Sequence, residues 1–117
     1  MPEYQLICVI VPRGEADAVV DAAKAAGAEG ATIMYARGTG IHEARTFFGL
    51  HLSSEREVAL ILIERSHCQE VLRAAVAAGH LEQPGRGIAF VLNVPQVVGI
   101  IHRGQVLATP PSEETTQ

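Results

Sequence analysis

The stretch YQLICVIVPRGEADAVVDAAKAAG, residues 4 to 27, decides how the chain is read. Its first eight residues are dense in β-branched side chains and stop at Pro12-Arg13-Gly14, the pattern of a strand closed by a turn. In the second part Ala16, Val19, Val20 and Ala23 recur at helical spacing, acidic residues sit in the early turns, and Gly27 stands where a left-handed C-terminal cap is expected. A strand over 4–11 and a helix ending at Gly27 follow.

Moving outward, ATIMYAR (31–37) reads as a second strand ended by Gly38. EVALILIE (57–64) reads as a third, and Ser66 with Gln69 has the reciprocal spacing of a capping box that opens a helix. That helix has an apolar stripe at Cys68, Val71, Leu72, Ala75 and Val76, with its exit at Gly79. After HLEQPGRG, IAFVLNV (88–94) is a fourth strand stopped by Pro95. The order is βαβ-βαβ. It predicts an α+β, ferredoxin-like sandwich in which an antiparallel sheet carries both helices on one face.

The other face is the informative one. If it met water, alternate strand residues would be polar. Yet Ile7, Val9 and Val11 are opposed by Leu6, Cys8 and Ile10, and ALILI and IAFVL are apolar on both sides. A second covering layer is required, and assembly of copies sheet toward sheet supplies it. The polar, Pro-rich end HRGQVLATPPSEETTQ is a poor cover, and residues 104–117 read as a disordered tail beyond a domain of residues 1–103.

Composition narrows the function. The chain has 117 residues, 48% apolar and 19% charged, with no Trp, which suits one aliphatic core. A net charge of −4 with interleaved signs offers no cationic stripe for nucleic acid. Two cysteines without CxxC spacing fit a reducing cytoplasm, and apolar runs far below the roughly 20 residues of a spanning helix argue against a membrane segment. His42-Glu43 does not extend to H-E-x-x-H, because Thr46 stands at the place of the second histidine. His42, His51, His67, His80 and His102 are scattered, so no metal site is read, although a symmetry axis could gather copies of one histidine. No nucleophile-base pair and no paired carboxylates are found; Cys68 falls on the buried helical stripe. The reading is not an enzyme.

Gly-x-Gly occurs at 38–40 and again at 85–87, where positive φ and close backbone approach let N–H groups converge on an anion. Arg37 and Arg86 beside them offer forked donors to anionic oxygens. Either arginine also fits as a solvated side chain at a strand end.

The element order, the strand-ending RGTG, the long loop behind it and GRGIAFVLNVPQVVGI together resemble the PII nitrogen-regulatory signalling proteins and their PII-like relatives, over about residues 4 to 101. The resemblance implies a ferredoxin-like subunit in a homotrimer, with ligand clefts between subunits, in a cytoplasmic regulatory protein of nitrogen metabolism. It implies no covalently bound cofactor, and ADP, AMP or ATP as ligand. By position it assigns ligand binding to Arg37, Gly38, Thr39, Gly40, His42, Leu62, Gly85, Arg86, Gly87 and Arg103. Residues 39–56 correspond to the signalling loop, 81–87 to the base-binding loop, and 96–103 to the segment that closes the cleft. Phe47 and Phe48, with Leu50 and Leu52, either fold onto a neighbouring subunit or anchor a partner, for which a membrane transporter or an enzyme is the family's habit.

The sequence departs from the family pattern. Ile88 stands where a lysine normally follows the second glycine pair, Gly99 and Ile101 replace two arginines after the fourth strand, and His42 replaces a glutamine. Triphosphate binding and the 2-oxoglutarate and magnesium arrangement are therefore open, and a PII-like sensor of bicarbonate, a metal or another metabolite without nucleotide is the alternative. The loop is shorter than in ordinary PII proteins and lacks their modifiable tyrosine.

Overall fold

A computed structural model describes residues 3–39, 46–47, 50–51, 54–102 and 105–108, with side chains for 3–39 and 54–99. The elements are β1 (Tyr4–Pro12), α1 (Ala16–Ala25), β2 (Thr32–Arg37), β3 (Thr46–Phe47), β4 (Leu50–His51), β5 (Glu55–Glu64), α2 (Arg65–Gly79), β6 (Ile88–Val94), β7 (Val98–His102) and β8 (Gln105–Ala108). The main sheet runs β2-β5-β1-β6 with every pairing antiparallel. The expected α+β fold with a four-stranded antiparallel sheet is present.

Register explains the core. Ile7 lies opposite Ile61 and Val91, and Val9 opposite Ala59 and Ala89. These rows face the helices, where Ala16, Val19, Val20 and Ala23 of α1 and Cys68, Val71 and Ala75 of α2 meet them. Ile7, Val9, Val11, Val19, Ile61 and Val71 are wholly buried. The α1 stripe read from helical spacing is the one that packs, and of the α2 stripe Cys68, Val71 and Ala75 are buried, Leu72 packs partly buried against them, and Val76 instead lines a surface depression.

The alternate rows make the other face: Leu6 with Leu62 and Leu92, Cys8 with Leu60 and Phe90, Ile10 with Val58 and Ile88. Within the chain this face is thinly covered. Ile88 is 57% exposed, Leu92 50%, Met34 44% and Phe90 40%. The strands carry apolar residues on both sides, as the sequence implies, and the helices cover only one.

Helix ends follow partly different rules from those expected. At the end of α1 the Ala28 N–H reaches the Ala23 carbonyl at 2.9 Å and the Gly27 N–H reaches Lys24 at 3.1 Å. Gly27 has φ +126°, so the glycine-capped exit is as read. At α2 two expectations are corrected. Ser66 and Gln69 form no opening box: the helix begins at Arg65 with Glu64 as N-cap and no side-chain cap bond. Strand runs straight into helix there, and the Arg65 N–H is taken by the Glu3 carbonyl at 2.8 Å. The exit is made by His80, at φ 55° and ψ 41°, while Gly79 remains inside the helix and buried.

Two boundaries also move. β5 starts at Glu55, so residues 55 and 56 of the stretch read as loop pair with Arg37 and Ala36 of β2. In the stretch read as tail, Gln105–Ala108 forms β8, antiparallel to β7. Between β2 and β5, Thr46–Phe47 and Leu50–His51 form a two-stranded ribbon.

Candidate functional site

Gly38 and the Gly85–Gly87 loop emerge at one end of the main sheet. Ile10 lies opposite Ile88, Pro12 opposite Arg56, and Arg37 opposite Glu55, so the end of β1, the starts of β5 and β6 and the end of β2 are level. They are not adjacent. With β5 and β1 between them, β2 and β6 stand three strand spacings apart, about 14 Å. Arg37 and Arg86 of one chain thus share an end of the sheet without sharing a neighbour strand.

The second pair is shaped by a close approach. Gly85 and Gly87 have φ +80° and +133°. A Cβ at Gly87 would lie 2.1 Å from the Ile10 carbonyl oxygen, so only glycine lets the loop lie against β1 before entering β6. Arg86, held between them, gives its Nη2 to the Glu15 carboxylate. Each side chain is 32% exposed. The Arg86 Nε is buried and has no hydrogen-bond partner.

Gly38, of the first pair, is held by the sheet. The Gly38 N–H donates to the Ser54 carbonyl at 2.8 Å and prolongs the β2–β5 ladder. That donor is committed to the backbone. Arg37 ends β2 and is exposed, Thr39 is exposed, and Gly38 is half-buried. Leu62 is half-buried on the open face beside Leu6, toward the opposite end of β5 from the glycine pairs. Gly40, His42, Phe48 and Arg103 lie outside the described residues; Phe47 is described only as backbone of β3.

Carboxylates are set among the arginines. Arg13 Nη1 meets Glu55 Oε1 at 2.9 Å, an exposed pair. Glu57, 8% exposed, accepts the Ala16 main-chain N–H at 2.9 Å and so caps α1 from the sheet. Glu15 is the formal N-cap of α1 but makes no side-chain cap bond. Sequence reading missed Glu15, Glu55 and Glu57. Acidic residues around the 12–15 turn and at the head of β5 were visible, but their arginine and amide partners depend on strand order.

Cys68 is buried in the core and Cys8 half-buried on the open face, and burial pushes both thiols up. Neither suits a thiolate nucleophile. Among the described residues, no three His, Cys, Asp or Glu side chains are grouped to hold a metal, and no helix is long and apolar enough to cross a membrane. A depression of about 430 Å³ at the C-terminal end of α2, lined by Leu72, Arg73, Val76, His80 and Glu82 among others, contains none of the residues assigned to ligand.

Residues 4–104 match the family model described as Nitrogen regulatory protein P-II. In fold the chain is similar to the crystal structure of Arabidopsis thaliana PII bound to citrate, with a TM-score of 0.66 and 20% identity, over 90% of this chain and 89% of that chain. No curated protein matches it in sequence.

Proposed function

This chain belongs to the nitrogen regulatory protein P-II family, and we propose that it works as a homotrimeric, cytoplasmic signalling protein that binds an adenine nucleotide or related small anion between subunits. Residues 39–56 then report occupancy to a target protein, a transporter or an enzyme. The observation that carries this reading is that Gly38 and the Gly85–Gly87 loop leave the same end of a sheet whose second face, with Ile88, Phe90 and Leu92, is open. Arg37 and Arg86 leave strands that have two others between them within a chain, so a second copy seated on the sheet would bring a further loop to either arginine. A regulator with this site has no need of a nucleophile or a proton-transfer pair.

A second reading is favoured by the charge at the site. The position after Gly87 is Ile88 rather than a cation, Arg86 is engaged by Glu15, and Arg13 by Glu55. Among the described residues, little positive charge at this end of the sheet is left uncommitted for a triphosphate. A PII-like sensor of bicarbonate, a metal or another metabolite fits that weaker field.

Native mass spectrometry and calorimetric titration with ATP, ADP and AMP, with and without bicarbonate, test both. A mass of three chains and saturable heat with a nucleotide support the first reading. Silence with every nucleotide and saturation with bicarbonate or a divalent cation transfers the function to the second. A stable lone chain at micromolar concentration removes both.

A further inference from the structure

Glu15 has been freed from the task that its position gives it. A residue at the N-cap of a helix ordinarily bonds the first free N–H groups. Here the Ala16 N–H goes to Glu57, from β5, and the Glu15 side chain makes no cap bond. Its carboxylate is turned instead to Arg86, the one cation of the 85–87 loop, 71 residues away. The loop runs close against β1 at this point, where a Cβ on Gly87 would meet the Ile10 carbonyl oxygen at 2.1 Å.

Resting on the anion-site reading above, we infer that Glu15 is a resident counter-anion that limits how much negative charge a ligand at Arg86 can carry. Both side chains are about two-thirds covered, so water screens the pair less than it would a surface pair. An incoming anion either displaces Glu15 from the guanidinium or shares it. Displacement leaves a carboxylate half-desolvated without its cation. Sharing places each ligand charge within a few ångströms of a fixed negative charge, and the penalty grows with every added charge. Singly or doubly charged ligands are tolerated, and a triphosphate is selected against. Glu15 touches the ligand only through this field and through Arg86, so it acts as a specificity-determining residue.

The test is the substitution Glu15→Gln, which keeps the side chain's length and an oxygen for Arg86 while removing the charge. Titrations of the full chain use two series of increasing charge, AMP, ADP and ATP, and orthophosphate, pyrophosphate and tripolyphosphate. Glu15→Gln is expected to raise affinity for the most charged member about tenfold or more, and for the least charged by under about threefold. The double variant Glu15→Gln with Arg86→Gln should lose that gain, as a mere change in loop stability would not. Equal effects along each series, or a gain that survives Arg86→Gln, overturn the role of Glu15 and leave the nucleotide reading standing. If no nucleotide binds either protein, the nucleotide reading falls, and the inorganic series alone decides Glu15: a charge-graded gain upholds it, and a flat or absent response ends it.

Discussion

Glu57 Oε1 lies 2.9 Å from the main-chain nitrogen of Ala16, a buried carboxylate on a strand closing the first turn of a helix 41 residues earlier. Sheet and helix are tied together at the end where the candidate ligand loops emerge. Glu57→Leu removes the acceptor, orphans a buried N–H and should cost about 1–3 kcal/mol. Glu57→Gln keeps an acceptor and should cost under about half of that. Urea denaturation of both variants checks the order; equal losses would mean that charge or volume, and not the cap bond, is what Glu57 supplies.

Gly87 and Gly85 should respond differently to alanine. At Gly85 the space around a Cβ is open and only the φ of +80° opposes it, a cost of about 1–2 kcal/mol. At Gly87 a similar backbone cost is joined by a Cβ 2.1 Å from the Ile10 oxygen, so β1 or the loop must move. The expected loss exceeds that of Gly85→Ala by about 1 kcal/mol or more. Thermal melts of the pair decide it, and a Gly87→Ala protein as stable as Gly85→Ala would refute the close approach.

On the open face, Leu92 is half-exposed in the single chain. Leu92→Asp should therefore leave a lone chain nearly as stable as before, within about 1 kcal/mol. Buried in an assembly, the same charge costs several kcal/mol. If three copies assemble as proposed, sedimentation should show a trimer for the wild type and a dissociated, folded variant. A trimer untouched by Leu92→Asp would place the contact elsewhere.

Alkaline pH should weaken the fold through Cys68. Burial raises its thiol pKa in the native state, whereas the unfolded chain ionises at about 8.5. Above that value the unfolded state holds fewer protons than the native one, so stability is full below it and falls as pH rises through the native pKa. Cys68→Ala removes this contribution. Cys8 and Tyr4, also raised by burial, stay in both proteins. Denaturation midpoints between pH 8 and pH 10 should fall more steeply for the wild type; parallel slopes would show that Cys68 does not ionise differently on unfolding.

The order of strands and helices, the stripes of α1 and α2, the glycine exit at Gly27 and the two apolar sides of β1, β5 and β6 were all legible in the chain. Each depends on a period or a residue type within a few positions, and local geometry obeys local rules. The capping box at Ser66 and the exit at Gly79 also looked local, but strand β5 runs into α2 and the Glu3 carbonyl takes the Arg65 N–H, so contacts from far along the chain won. The same holds at the candidate site. Glycines announced where the backbone must bend, yet which carboxylate faces Arg86, which one caps α1, and how far Arg37 stands from Arg86 were decided only when β1 came to lie between β5 and β6. Register brings together residues such as Glu15 and Arg86 that no spacing connects, because a charge is felt across space and not along the chain.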